Sequence, residues 1–154
     1  MNNTDPYLDD RHPARIRVTG ALDVPLPQRA AFMLFTARGE RGWTEGWDPC
    51  FPAGDEDDTV PGTTFLIPHG AADSVWVVAA ARPPREIGYV RVTPADTAGT
   101  VTVSLEPSGG RSTHVTVTYD LTALAPPARE HLAHFRAGFG DFLRRWEQAI
   151  AEVA

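Results

Sequence analysis

The last thirty residues, 125–154, carry the pattern that most constrains the fold. Seven apolar residues in this segment follow one another at intervals of three or four, which places them on one face of an α-helix at about 100° per residue. They are Leu132, Phe135, Phe139, Phe142, Trp146, Ile150 and Val153. We therefore predict one long amphipathic helix here. Gly138 and Gly140 lie within it, where glycine is unfavourable, and they indicate a bend or a close approach to a sheet or a ligand.

The preceding chain consists mainly of strand-like runs. Residues 14–22 alternate between apolar and polar side chains, residues 29–37 indicate a short helix, and residues 39–43 indicate a second short helical turn. Five further strand-like runs follow, at residues 63–67, 74–81, 86–92, 99–105 and 112–121. Glycine and proline turns between short strands are typical of an antiparallel meander. The predicted class is α+β, with a curved antiparallel sheet of about six to seven strands.

Composition limits the class of protein and its partners. A chain of 154 residues suits one domain, and 42% hydrophobic and 22% charged residues are ordinary for a soluble fold. The formal net charge of −6 argues against nucleic-acid binding, which requires clustered basic side chains. No apolar segment approaches the roughly 20 residues that a membrane-spanning helix needs.

The single cysteine, Cys50, excludes an internal disulfide framework and fits a reducing compartment. The first residues lack the apolar run of a secretory signal, so we expect a cytoplasmic protein. We predict a flexible tail over residues 1–13 and a single domain over residues 14–154.

Motifs for metal or nucleophilic chemistry are missing from the sequence. It contains no GxSxG, phosphate-loop, HExxH or paired CxxC motif. The acidic run at 55–58 lacks the spacing of an EF-hand, so we interpret it as a solvated loop. His131 and His134 have no defined acid to complete an iron-binding triad. We therefore predict neither a metal nor a cofactor. For Glu40 and Asp48 we favour a helix cap or a pairing with Arg41 over the alternative, a polar group of a pocket.

Alternation in the strands indicates which side chains face inward. On one strand, however, Ile87, Tyr89 and Arg91 share one side, Gly88, Val90 and Val92 share the other, and either side could face the core. If the first side faces the core, Arg91 is buried and needs a partner, either a structural carboxylate or a carboxylate or enolate oxygen of a ligand. A position at the rim of the sheet is the third alternative. On the C-terminal helix, His131 lies about 40° from Phe135 and is the histidine best placed to reach the interior.

The order of these elements, together with several local sequence words, resembles the START-like superfamily, also called SRPBCC. The words are Gly39-Glu40-Arg41-Gly42-Trp43, Gly46-Trp47-Asp48-Pro49, the segment Ile87 to Pro94, and the segment Val117 to Leu124. The resemblance covers roughly residues 14–153 and is nearest to a bacterial branch described as polyketide cyclase/dehydrase-like. It implies the helix-grip fold of the Bet v 1 allergens, in which a long C-terminal helix packs across the curved sheet beside two short helices.

The resemblance also implies a cavity between the sheet and the C-terminal helix. The residues that would form its wall are Trp76, Tyr89, Tyr119, Phe135, Phe139 and Phe142, with Trp43 and Trp47 at its mouth. Arg91 and His131 would orient a ligand. The alternative for any single ring is that it fills an ordinary core, because aromatic side chains dominate core packing.

Three functions remain open at this point. The leading hypothesis is a protein that binds a small apolar or aromatic molecule. The second is an enzyme of the aromatase/cyclase kind, in which Arg91, Tyr89 or His131 polarises a carbonyl and moves a proton. The third is a protein-binding module of the Hsp90-activator kind, for which we would expect an exposed apolar patch. The sequence also leaves open the ligand, any catalysed reaction and the formation of a homodimer.

Overall fold

The computed structural model describes residues 12–54, 57–69 and 72–154. Residues 1–11 of the predicted tail and residues 55–56 of the acidic run lie outside this part. The elements in chain order are β1 (Arg15–Val24), α1 (Gln28–Met33), a 3₁₀ turn (Gly39–Gly42), β2 (Thr64–His69), β3 (Ala72–Arg82), β4 (Glu86–Thr93), β5 (Thr97–Pro107), β6 (Thr113–Ala123), α2 (Ala128–Ala137) and α3 (Phe139–Val153).

The six strands form one antiparallel sheet in the order β1-β6-β5-β4-β3-β2. Alternation on β6 agrees with the prediction, since Val115, Val117, Tyr119 and Leu121 are all buried while His114 is exposed. One face of the sheet therefore forms the core, and α2 and α3 pack against it at β1. The architecture confirms the predicted α+β helix-grip class.

The C-terminal helix is bent at Gly138, which ends α2 and begins α3. The residue has φ −95° and ψ 6°, outside helical values. The backbone amide of Gly138 still donates to the carbonyl of His134 at 3.0 Å, and its carbonyl accepts from the amide of Phe142 at 3.0 Å. The chain therefore changes direction with little loss of hydrogen bonding. Glycine pairs are a common cause of such kinks, and the structure replaces the predicted single helix with two segments.

The close approach between helix and sheet occurs at a strand glycine. A Cβ atom on Gly20 of β1 would lie 2.6 Å from Cδ1 of Leu143 and 3.2 Å from the ring of Phe139. A Cβ atom on Gly140 would instead meet only the guanidinium of Arg144, at 3.9 Å. The helix thus packs on β1 because Gly20 leaves room for it, and Gly140 has no such role.

Replacement of Gly140 by alanine is therefore expected to stabilise the protein. Alanine is favoured over glycine in a helix interior by up to about 1 kcal/mol, and nothing opposes the added methyl group. Urea unfolding measures the difference. Gly20→Ala is the contrasting variant and is expected to lower stability, because Leu143 and Phe139 must move. A Gly140→Ala protein less stable than the wild type would contradict this account.

Candidate functional site

An interior pocket of about 280 Å³ lies between the sheet and α3. Strands β2 to β6 supply most of its wall, α3 closes one side, and the segment from the 3₁₀ turn to residue 47 closes another. Its lining includes Glu40, Thr44, Trp47, Trp76, Tyr89, Arg91, Asp96, Tyr119, Phe142 and Trp146. We call this space the interior pocket.

Strand register brings the central side chains of the interior pocket together. Trp76 on β3 lies directly opposite Arg91 on β4. Tyr89 lies opposite Val101 on β5, which in turn lies opposite Tyr119 on β6. Directly opposite residues of antiparallel strands project to the same face, so these side chains all point to the inner side of the sheet. Of the two orientations that the sequence left open for this strand, the structure has Ile87, Tyr89 and Arg91 facing inward, and Ile87 and Tyr89 are buried.

Two groups of aromatic rings border the interior pocket. Near β2 and β3, Trp76 contacts Trp47 edge to face at 5.2 Å and Tyr89 at 5.7 Å between ring centroids. The indole N–H of Trp47 donates to the carbonyl of Ala37 at 2.7 Å, which fixes that ring. On the helix side, Phe142 contacts Tyr119 at 5.9 Å and Trp146 at 5.0 Å. The pocket is thus held between rigid aromatic surfaces on both sides.

Arg91 is the basic side chain of this lining, and it forms no ion pair with any described residue. Its Nη2 donates to Oγ1 of Thr97 at 3.1 Å, and its Cζ lies 5.8 Å from the ring centroid of Trp76. Its Nε is buried without a hydrogen-bond partner, as is Nε1 of Trp76 across the strand pair. Burial lowers the pKa of Arg91, while Tyr119 and Asp96 act electrostatically in the opposite direction. Arg91 therefore bonds to the hydroxyl of Thr97, and not to the structural carboxylate that was one of its expected partners.

Glu40 lines this site, so the structure favours the less preferred alternative of the sequence analysis, a polar pocket group, over a helix cap or a partner of Arg41. Its side chain is buried, borders the interior pocket, and forms no hydrogen bond or ion pair with the described residues. Arg41 instead pairs with Asp48, at 3.2 Å between Nη2 and Oδ1. Burial raises the pKa of Glu40 well above its ordinary value. Residues three apart in a 3₁₀ helix lie on the same side of it, and Trp43 follows Glu40 by three residues. The large apolar side chain of Trp43 was therefore the sequence signal that Glu40 points inward.

Two tyrosines, Tyr89 and Tyr119, line the interior pocket together with Glu40 and Arg91. The hydroxyl of Tyr89 donates to the carbonyl of Phe35 at 2.7 Å. The hydroxyl of Tyr119 has no hydrogen-bond partner among the described residues. Burial is the main cause that raises the pKa of each tyrosine, and the charge of Glu40 adds to it. Arg91 acts in the opposite sense on Tyr119, which therefore lies within electrostatic range of both groups.

Four of the ten residues proposed from the sequence lie outside the interior pocket. Trp43 is a core residue whose indole N–H donates to the carbonyl of Leu34 at 2.8 Å. Phe135 and Phe139 pack against Tyr119, at 5.0 and 5.8 Å between ring centroids. His131 has a side chain that is 73% exposed, and its Nδ1 lies 3.3 Å from Oδ1 of Asp96. The six that line the pocket are Trp47, Trp76, Tyr89, Arg91, Tyr119 and Phe142.

The described residues contain no group of three histidine, cysteine, aspartate or glutamate side chains arranged to hold a metal ion. Within the same part of the chain, no helix is both long enough and apolar enough to cross a membrane. Cys50, the single cysteine, is exposed and lies away from the interior pocket.

Comparison with known proteins supports the fold. The chain is similar to the crystal structure of protein MLL2253 from Mesorhizobium loti, with 18% identity, a TM-score of 0.65, and coverage of 90% of this chain and 99% of that one. It is also similar to CalU16 from Micromonospora echinospora, with 16% identity, a TM-score of 0.61, and coverage of 89% and 86%. Truncated norcoclaurine synthase from Thalictrum flavum gives 10% identity, a TM-score of 0.64, and coverage of 90% and 92%.

No protein-family model and no curated protein matches the sequence. At these identities, the structural likenesses establish the fold alone. The chain has the START-like, or Bet v 1-like, helix-grip fold that its sequence resembles.

Proposed function

We propose that this protein binds a small aromatic molecule carrying an acidic oxygen in the interior pocket. The observation that carries the proposal is the guanidinium of Arg91, which faces the pocket without a carboxylate partner. Removing a charge from water is costly unless a counter-charge and hydrogen bonds replace the solvent. Thr97 supplies one acceptor, and the acidic oxygen of a ligand would supply the counter-charge.

The surroundings of Arg91 favour an aromatic acid over other anions. The unpartnered Nε1 of Trp76 is a second donor beside the guanidinium, and Trp47 and Tyr89 extend the aromatic surface next to it. Ligand pockets commonly measure about 300–1,000 Å³, so the interior pocket is at the small end of that range. A ligand of one or two fused rings fits these dimensions better than a long polyketide chain.

An enzyme is the second candidate function. Glu40, Tyr119 and Arg91 are three titratable groups that border one pocket, and catalytic sites tend to collect groups with perturbed pKa values. One structural neighbour, norcoclaurine synthase, is named as an enzyme. A carrier retains its ligand unchanged, whereas an enzyme of the aromatase/cyclase kind converts it, so analysis of the recovered ligand separates the two.

The protein-binding module has less support among the described residues. The exposed large apolar side chains are Met33, Val60, Val90, Leu124 and Val153. They belong to α1, a loop, β4, the segment after β6 and the end of α3.

The cytoplasmic location and the homodimer remain predictions.

The first experiment is native mass spectrometry of freshly purified protein, followed by denaturing extraction of any bound molecule. We expect an aromatic acid to be recovered. Calorimetric titration with naphthalene-2-carboxylate and with the uncharged naphthalene-2-carboxamide then tests the role of charge. The wild type is expected to bind the carboxylate more tightly, and equal affinity for the two compounds would contradict the proposal.

The Arg91→Gln variant is expected to bind naphthalene-2-carboxylate roughly 10- to 100-fold more weakly, because a hydrogen bond to a charged group contributes about 1.5–3 kcal/mol. Its affinity for the carboxamide should change little. Arg111→Gln is the matched control, since Arg111 is exposed in the connection between β5 and β6. A loss shared by the acid and the amide would show that Arg91 maintains the shape of the pocket instead of recognising charge.

A further inference from the structure

The interior pocket contains a second polar group whose role is distinct from that of Arg91. Glu40 reaches the pocket from the 3₁₀ turn, and its carboxyl group has no partner among the described residues. Glu40 is only 9% exposed, and a carboxyl group largely removed from water without a cationic partner is favoured in its neutral form, which can donate a hydrogen bond. Its position on the pocket lining makes a bound molecule the natural partner.

The charges around Glu40 determine the form in which it would bind. Its electrostatic neighbours on the sheet are Tyr89 on β4 and Tyr119 on β6, and Asp58 also acts on Tyr89. None of these groups is a cation that would hold a carboxylate in its ionised form. The nearest basic residue in sequence, Arg41, is engaged by Asp48 and by the carbonyl of Pro49. Burial favours the neutral acid, and no cation among these neighbours opposes it.

We propose that Glu40 binds the ligand as a neutral carboxylic acid, donating its O–H to a carbonyl oxygen while the ligand's acidic oxygen lies at Arg91. The ligand class is therefore an aromatic keto acid, in which a ring carbonyl and an acidic oxygen are carried by the same small ring system. Tyr119 also lines the pocket and offers its ring as a contact surface for the ring system of the ligand. This inference rests on the function proposed above and adds the second recognition point.

Two acids that differ at the ring ketone test this inference. Chromone-2-carboxylate carries a ring ketone and a carboxylate, whereas naphthalene-2-carboxylate has the carboxylate alone. We expect the wild type to prefer the keto acid by about tenfold, the upper end of what one neutral hydrogen bond contributes. Glu40→Leu should abolish the preference. Glu40→Gln should keep it within about threefold, because a neutral amide N–H also donates. Glu106→Gln, an exposed change on β5, is the control for altered net charge.

The outcomes separate this inference from the proposed function. If the wild type binds neither acid, the proposed function fails. If it binds both acids equally and loses both on Arg91→Gln, the proposed function stands and the role of Glu40 is overturned. A loss of preference in Glu40→Gln as large as that in Glu40→Leu would also overturn it, because that result requires an ionised or proton-transferring carboxyl.

A measurement without ligand guards against variants that fold poorly. Infrared difference spectroscopy of wild type against Glu40→Gln at neutral pH should show the carbonyl stretch of one protonated carboxyl group in the wild type. The band should shift to lower frequency when chromone-2-carboxylate binds, because its O–H then donates a hydrogen bond. The absence of this band would show that Glu40 is ionised, and the inference would be wrong.

Discussion

Replacing Gly39 with alanine is expected to lower the free energy of unfolding by more than about 3 kcal/mol, the range reached by severe backbone strain. A Cβ atom on Gly39 would lie 1.7 Å from the carbonyl oxygen of Met33 and 2.8 Å from its carbonyl carbon. These are backbone atoms at the end of α1, so they cannot rotate away as a side-chain tip would. The added methyl group therefore forces the end of α1 and the 3₁₀ turn apart.

Local hydrogen bonds make this separation more costly. The hydroxyl of Thr36 donates to the carbonyl of Met33 at 2.9 Å and accepts from the amide of Gly39 at 3.0 Å. Its Oγ1 would itself lie 2.9 Å from the new Cβ atom. Moving Gly39 thus breaks a bridge that satisfies two backbone groups near the core, and buried backbone groups left without partners are destabilising.

Gly42→Ala is the matched control for this prediction. Gly42 lies in the same 3₁₀ turn, but no heavy atom stands within 4 Å of its added Cβ. Urea unfolding of the two variants measures the difference, which we expect to exceed about 2 kcal/mol on these grounds. Similar stabilities for Gly39→Ala and Gly42→Ala would contradict the packing described here. Because Glu40 follows Gly39 directly, Gly39→Ala should also weaken the binding of the keto acid.

The same junction shows what sequence patterns can and cannot predict. The apolar spacing predicted a helix over residues 29–37, yet α1 ends at Met33. The amides of Leu34 and Phe35 bond three residues back, which tightens the last turn, and Thr36 takes the carbonyl of Met33. A hydroxyl that competes for a helix carbonyl leaves no mark on hydrophobic periodicity. The strands were easier to predict, because period-two alternation directly reflects a sheet with one buried face.

The candidate site was predictable in part for a related reason. Alternation on β4 places Arg91 on the same side as Tyr89, but both sides of this strand carry apolar residues, so the sequence left the inward side open. The partner of Arg91, Thr97, lies six residues away on β5, and only the pairing of β4 with β5 brings the two together. For the aromatic rings of the C-terminal helix, periodicity predicts which face of the helix points inward, but it does not predict which of these rings reaches the pocket. Phe142 borders the interior pocket while Phe139 packs beneath Gly20.

The stability of the protein is expected to fall as pH rises above the ordinary titration range of glutamate, and Glu40→Gln should remove most of this fall. Burial raises the pKa of Glu40 in the folded state, so the folded protein holds a proton that the unfolded chain releases. Stability is then greatest below the unfolded pKa, ordinarily near 4.5, and is lost between that value and the higher folded pKa. The slope approaches about 1.4 kcal/mol per pH unit for one proton.

Other shifted groups act in different pH ranges. Hydrogen bonds from Thr59 and Arg15 lower the pKa values of Asp57 and Asp120, so their contributions are present above the ordinary aspartate range and are lost in acid. Burial raises the pKa values of Tyr89 and Tyr119 in the folded state. Their contribution to stability is therefore lost only above pH 10, where tyrosine in the unfolded chain ionises. Among the described residues, Glu40 is the group whose pKa shift acts between these limits.

Free energies of unfolding from urea titrations at a series of pH values between about 5 and 9 test the prediction across this window. The wild-type curve should descend relative to that of Glu40→Gln, and the two curves should diverge as the pH rises. Curves that stay parallel would mean that Glu40 titrates at the same pH in the folded and unfolded states. Bound chromone-2-carboxylate should raise the whole stability curve and extend its descent to higher pH, because a carbonyl that accepts from the neutral acid raises the folded-state pKa of Glu40 further.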